Sequence, residues 1–397
     1  MDAEHRRAVL RARDGHEARV TNAELFFDLI YAFAVTQLSH HLLADLTLVG
    51  AVQTLVLWIA VWLGWQYTVW VTNWFDPDAM PNRIMLLCVM VVGLLMSSVL
   101  PEAFGERGLV FAFCFVAIQV GRTLYVLIML GRGSALTANF QRILGWMLIT
   151  AVFWIWGALE HEEARMILWA IAVACDYGSP MIGFRLPFLG ASKSSDWTIE
   201  GGHLAERNQL FVMVALGETI LVTGATIAQT AHWGAPILVG FVVAFLGSVA
   251  MWWMYFDTSS KAGTEAITHS DDPGRMGSYF HYVHVAIVGG IIVTAVGSDL
   301  FMAHPDGHIE TKYVAVLVGG PALYLLGNAI YKRIVYCQFP LSHLAGLAML
   351  VVLTPFAWLT DLLMVGALTT AIMLVVAGWE ARSRRTQRHA RSHVPQA

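Results

Sequence analysis

Apolar blocks, each about the length that crosses a hydrocarbon core, recur along the chain and leave little sequence between them. Twelve can be delimited, at residues 24–44, 48–71, 83–100, 108–130, 140–159, 164–178, 203–229, 234–256, 276–297, 311–331, 339–357 and 359–379. Backbone N–H and C=O groups cannot stay unpaired in lipid, and a helix satisfies them within one segment. The blocks therefore predict an all-α polytopic membrane protein of about 12 transmembrane helices, with the lipid bilayer as its principal partner. The least regular are 164–178, which carries Asp176, and 339–357, which carries Pro340, His343 and Pro355. Of the 397 residues 57% are hydrophobic and only 13% charged, a composition foreign to a soluble globular domain.

Charge placement gives the orientation. With the N-terminus in the cytoplasm, 19 of the 24 basic residues fall on that side, including Arg6, Arg7, Arg11, Arg83, Arg132, Arg142, Lys332, Arg333 and the arginines of the C-terminal tail. Arg107, Arg165 and Lys312 fall opposite, in short acidic loops, and Arg122 and Arg207 lie within blocks. This bias follows the positive-inside rule and predicts an even number of spans with both termini cytoplasmic. The tail is too short to argue for nucleic acid.

The two halves echo each other. Glu24 opens the first block and Glu206 lies near the start of the seventh; Trp74-Phe75-Asp76 follows the second and Tyr255-Phe256-Asp257 closes the eighth. Six blocks per half is an even number, so the halves read as two parallel six-helix repeats, related by an axis along the membrane normal. The domain plan is a basic segment 1–23, a first repeat 24–178, a linker 179–202, a second repeat 203–380 and a basic tail 381–397. The linker stretch 190–197, Gly-Ala-Ser-Lys-Ser-Ser-Asp-Trp, reads as flexible. Cys88, Cys114 and Cys175 fall in apolar blocks and Cys337 beside one, and all four read as small core residues, not a disulfide framework or zinc site. Most of the 15 tryptophans read as interface anchors.

Three constellations place ionisable groups where lipid would oppose them. Glu24 and Asp28 are four apart, on one helix face. They read either as acids favoured by a helix N-terminus or as a cation or proton site. His203-Leu-Ala-Glu206-Arg207 places His203 and Glu206 three apart, a spacing that binds metal in helical bundles only when further ligands join. Glu24, Asp28, His281 and His284 are the candidates; the alternative is a hydrogen-bonded cluster locking the halves together. Glu218, within Gly217-Glu218-Thr219, sits about 18 Å along the helix from Glu206, and Gly217 and Gly224 read as sites of close helix approach. Arg122 is the natural partner of a buried acid. Gln37 on the first block, and Trp252 and Asp257 at the end of the eighth, complete the candidate pathway. No P-loop, dinucleotide fingerprint or nucleophile elbow is present, and no cofactor is expected.

The segments Glu24-Leu-Phe-Phe-Asp28-Leu-Ile-Tyr-Ala-Phe-Ala-Val-Thr-Gln37-Leu and His203-Leu-Ala-Glu206-Arg207, continuing to Leu216-Gly217-Glu218, resemble the signature segments of the bacterial low temperature requirement protein A family, and Tyr255-Phe256-Asp257 fits it too. The resemblance covers residues 20 to about 380. It implies a multi-pass membrane protein linked to growth at low temperature, and carries no settled biochemical activity. Phe27-Asp28 followed by Ala32-Phe33-Ala34-Val35-Thr36 is also similar to the first-helix Phe-Ser-Asp segment of a six-span potassium channel family. That second likeness implies a homodimer, although Phe stands where that motif has Ser and the second half lacks it.

The leading expectation is a transporter or permeation protein for a small ion or solute, with Glu218 as a protonatable site. Glu24, Asp28 and Glu206 form its acidic cluster, with His203, Arg207, His281 and His284 as partners. A membrane-embedded enzyme acting on a lipid or other hydrophobic substrate is the second reading, and a non-catalytic component supporting growth in the cold the third. The span count is checked by reporter fusions at both ends. Cytoplasmic signals are expected from each, and an external signal from either overturns the even number.

Overall fold

The computed structural model describes residues 9–11, 13, 18–131, 134–230, 232–257 and 259–392, with side chains to residue 385 apart from that of Ala135. Arg6, Arg7 and Arg132 of the charge argument, and most of segment 1–23, lie outside the described residues. The described residues form helices α1 (Asn22–Ala44), α2 (Leu48–Trp74), α3 (Met80–Val99), α4 (Gly108–Leu130), α5 (Ala135–Leu159), α6 (Glu162–Gly178), α7 (Gly201–Gln229), α8 (Ala235–Trp252), α9 (Ser260–Thr268), α10 (Pro273–Ala303), α11 (Thr311–Tyr336), α12 (Leu341–Leu353) and α13 (Leu362–Ser392). Helix runs through each of the twelve apolar blocks, and no β-strand occurs among the described residues.

Among the described residues ten helices are long and apolar enough to cross a membrane, which makes the chain a polytopic membrane protein. The two helices over predicted spans that fall outside this set are α1 and α6. Helix α1 carries Glu24, Asp28, Gln37, His40 and His41, and α6 has only 17 residues. The sequence did not anticipate α9, a short helix in a loop.

The chain divides into two compact units, residues 1–207 with 267–278, and residues 208–266 with 279–397. In the first, α1 packs on α2 and α3, α3 on α4, α4 on α5 and α5 on α6, while α2 touches α4 and α6. Tryptophans fill its interior: Trp58, Trp62, Trp65, Trp70, Trp74, Trp154 and Trp169 are all buried. Seven of 15 are thus core residues and not interface anchors. Periodicity explains this, since Trp58, Trp62 and Trp65 are spaced four and three apart and meet as tilted ring pairs down one face of α2, at 5.4 and 4.8 Å between centres. Arg165, expected in an external loop, is buried and donates to the carbonyls of Ala103, Gly105, Gly157, Ala158 and Glu160. A cation on unpaired carbonyls at a helix C-terminus is favourable.

The stretch 179–202 is pinned within this unit. The Trp197 ring meets Trp70 edge-on at 5.4 Å, Trp74 Nε1 donates to the Thr198 carbonyl at 2.6 Å, and Ser194 Oγ donates to Asp272 at 2.7 Å. Gly183 turns the chain at φ +64°, where a Cβ would fall 2.2 Å from the Ser192 carbonyl oxygen.

In the second unit, α13 packs on α8, α11 and α12. Helices α10 and α11 approach backbone to backbone. A Cβ on Gly290 would lie 2.4 Å from the Tyr324 nitrogen; one on Gly320, 2.7 Å from that of Thr294; one on Gly327, 2.8 Å from that of Ile287. Gly320 and Gly327 lie two turns apart on one face, the arrangement by which small residues let membrane helices meet. Gly217 and Gly224, expected to do this, face open space. Cys88 and Cys337 are exposed, not core, and all four cysteines are free.

Gly290→Val is expected to lower stability by about 1–3 kcal/mol through overpacking, and Gly217→Ala to be neutral or mildly stabilising. Thermal unfolding of the two variants in detergent checks this; equal midpoints would contradict the packing.

Candidate functional site: a paired acid and base ladder on α1 and α7

Glu24 begins as a capping residue. Thr21 Oγ1 accepts from the Glu24 N–H at 3.3 Å, while Glu24 Oε2 accepts from the Thr21 N–H at 2.9 Å and from its hydroxyl at 3.1 Å, a complete capping box. Arg11 reaches the same oxygen at 3.3 Å, and Oε1 lies 2.9 Å from His203 Nε2. The tautomer of His203 follows from its other neighbours. The Glu200 N–H donates to Asn73 Oδ1 at 2.8 Å, so Asn73 Nδ2 is the donor to the Glu200 carbonyl at 2.8 Å and to His203 Nδ1 at 3.2 Å. Nδ1 accepts, and the proton sits on Nε2, facing Glu24. Glu200 itself caps α7, accepting from the His203 N–H at 2.5 Å and the Gly202 N–H at 3.2 Å. Glu24 is fully buried and both its oxygens are engaged.

One turn on, Asp28 is 1% exposed. Its Oδ1 accepts from Arg207 at 2.6 Å and from Trp65 Nε1 at 2.7 Å. Among the described residues its Oδ2 has no hydrogen-bond partner, nor do Arg207 Nε and Nη1, although the guanidinium lies 6.0 Å from the Phe27 ring centre and 5.9 Å from that of Trp65. The two pairs, Glu24–His203 and Asp28–Arg207, step four residues in the same sense on both helices. Helix α1 and the opening turns of α7 therefore run parallel.

The same unit holds the other candidates of the first half. Arg122 is buried but meets no carboxylate at ion-pair distance among the described residues. It donates to the Gly64 carbonyl at 3.2 Å, Thr68 Oγ1 at 2.9 Å and Gln119 Oε1 at 2.5 Å, and lies over Tyr67. The expectation of an acidic partner is corrected: its two terminal nitrogens go to neutral acceptors on α2 and α4, and its buried Nε has no hydrogen-bond partner among the described residues. Gln37 is partly buried, and Glu206 is exposed and outside the ladder. The face that matters on α7 carries His203 and Arg207, four apart, and not His203 and Glu206, three apart.

The second unit holds the rest. Glu218 is 3% exposed, and Thr219 beside it shares a 2.7 Å hydrogen bond with Ser248 on α8. His284 Nδ1 donates to the Phe280 carbonyl (2.6 Å) and its Nε2 accepts from the Tyr255 hydroxyl (2.7 Å), and His281 is fully buried. Trp252 is exposed and stacks on Phe256; Trp253–Asp257 is a π-helical turn, a distortion frequent at functional sites. A cluster missed in the sequence joins α11, α12 and α13: Lys332 donates to Glu380 Oε2, while Ser342 and His343 approach Oε1 at 3.1 and 3.2 Å. Lys332 read as a loop charge because it adjoins Arg333, but only Lys332 faces inward. No group of three or more His, Cys, Asp or Glu able to hold a metal ion occurs among the described residues.

A bundle of apolar helices with charges paired in its interior defines an integral membrane protein. Residues 19–378 match the family model described as bacterial low temperature requirement A protein, LtrA. The chain is also 37% identical over 381 residues to "Uncharacterized protein RA0937" of Rhizobium meliloti (strain 1021), covering 95% of this chain and 93% of that protein. The chain belongs to the LtrA family. No solved structure gives a significant match.

His203→Ala leaves the buried Glu24 Oε1 without a donor, while Arg11 and Thr21 still hold Oε2, and is expected to destabilise by about 1–3 kcal/mol, whereas Glu206→Ala should stay within about 0.5 kcal/mol. Denaturant titration of both variants checks the contrast. Equal losses would place Glu206 in the ladder after all.

Proposed function

We propose that this LtrA-family protein is a permeation protein for a small ion or solute in a bacterial plasma membrane, with Asp28 and Arg207 as the exchangeable pair on its path. The observation that carries the reading is the incomplete satisfaction of that pair. Glu24 has donors on both oxygens, whereas Asp28 leaves Oδ2 unmatched and Arg207 leaves two nitrogens unmatched, all buried. A buried charge pair is costly unless its remaining lone pairs and protons are satisfied. Intramembrane ionisable groups left this way mark ion and proton pathways. Glu24 and His203 are the fixed element and Asp28 and Arg207 the working one. Glu218 supplies a second buried carboxylate further along α7.

In this reading twelve helices cross the membrane, all but α9, and both termini are cytoplasmic. The parallel course of α1 and the opening turns of α7 supports two parallel six-helix repeats, because an even number of crossings returns the chain in the same direction. The repeats are 24–178 and 203–380, the segments 1–23 and 381–397 are cytoplasmic, and the protein works without a cofactor, as a homodimer in the bilayer.

The test is flux of protons and monovalent cations through purified protein in liposomes. The native chain should conduct, Asp28→Asn should lose at least about tenfold, and Glu206→Gln should conduct as the native chain does. Undiminished flux in a folded Asp28→Asn, or none through the native protein, would overturn the proposal.

A further inference from the structure

A pocket of about 520 Å³ opens in the second unit where α11 ends, α12 begins and α13 leaves its apolar stretch. Its size falls within the range of small-molecule sites. Lys332 and Ser342 are buried in its wall beside Glu380, and Tyr336, Phe339, Trp379 and Arg384 complete the part that matters. Its two ends differ in chemistry. The rim is apolar and aromatic: Phe339 is 54% exposed and Trp379 42% exposed. Such residues settle at the boundary between hydrocarbon and headgroups.

The polar end carries a guanidinium that makes no ion pair among the described residues. Glu380 is occupied by Lys332, Ser342 and His343. Arg384 donates to the Asp257 backbone carbonyl and reaches the Tyr336 hydroxyl at 3.5 Å, neither of them charged. It meets no carboxylate at ion-pair distance among the described residues. Arg333 lies over the Phe339 ring at 5.9 Å, adding a second cation near the rim. A guanidinium with neutral partners beside a wall of exposed aromatics matches a phosphate ester that carries an acyl chain.

We infer that this pocket binds the headgroup of one anionic phospholipid, with Arg384 on the phosphate and Trp379 and Phe339 along the start of the acyl chain. Juxtamembrane cations gain from anionic lipid in this way. Glu380 of α13, bound by Lys332 of α11 and by Ser342 and His343 of α12, holds together the three helices that form the walls, so the site is built by packing and not by the tail alone. The assignment stands whether or not the protein conducts.

Native mass spectrometry of the full-length protein in a neutral detergent tests it, with phosphatidylglycerol and phosphatidylcholine as probes. One phosphatidylglycerol per chain should be retained at least about tenfold more tightly than phosphatidylcholine. Arg384→Glu should abolish that preference and Arg384→Lys retain most of it. Arg107→Glu, at an exposed arginine paired with Glu102 in the first unit, should leave it unchanged. Trp379→Ala should weaken retention independently, which covers an Arg384→Glu that fails to fold. Equal retention of the two lipids, or full retention by a folded Arg384→Glu, would overturn the assignment. So would binding of soluble glycerol phosphate as tight as that of the lipid, which would assign the pocket to a free phosphate ester.

Discussion

Two buried charge contacts, one helical turn apart, hold α1 against the start of α7. They are worth more than their energies, because they fix register. Glu24 meets His203 and Asp28 meets Arg207, and a shift of either helix by one residue would break both contacts and leave Asp28 and Arg207 buried without each other. Burying an ionised group without a partner costs several kcal/mol, so the register has few competitors. Trp65, Asn73 and Glu200 then hold the ladder from the side, through bonds to Asp28 Oδ1, His203 Nδ1 and the α7 N-terminus.

The ladder also separates structure from function within one motif. Glu24 is a capping acid, a neighbour of Arg11 and a histidine acceptor at once, and nothing about its bonding is left open. Asp28 has the same side-chain chemistry and a deeper position, yet only one oxygen is bound. Two carboxylates on one helix face thus take different roles because their surroundings differ. The second unit repeats the theme with other residues. Lys332 and Glu380 form a buried pair there, and Ser342 and His343 complete the acceptor.

Much of the fold was legible because bilayer-length apolar runs leave few alternatives to helices. The face shared by Glu24 and Asp28 was legible from their spacing. Which residue answers them was not. His203 lies within i+3 of Glu206 and i+4 of Arg207, and periodicity alone does not choose between the two. The structure chooses the second, and Glu206 faces outward. Arg11 sat in a basic segment that read as a topology signal, and Lys332 and Arg165 sat at block ends where a charge normally marks a loop. In each case the partner lies far away in sequence, and no local pattern records it. Trp65 and Asn73 carried one usable signal, a polar atom on a helix otherwise dense in apolar residues. The tryptophans misled because their amphipathic rings suit an interface as well as a core with an acceptor in reach.

The most direct test of the ladder is a double-mutant cycle on thermal unfolding of the full-length protein in detergent, with Asp28→Asn, Arg207→Gln and the two combined. If the two side chains form one buried unit, each single change should be strongly destabilising, and the double variant should recover at least about 1 kcal/mol relative to the sum. Additivity to within about 0.5 kcal/mol would mean that Asp28 and Arg207 do not act on each other, and the account of how α1 and α7 are joined would fall.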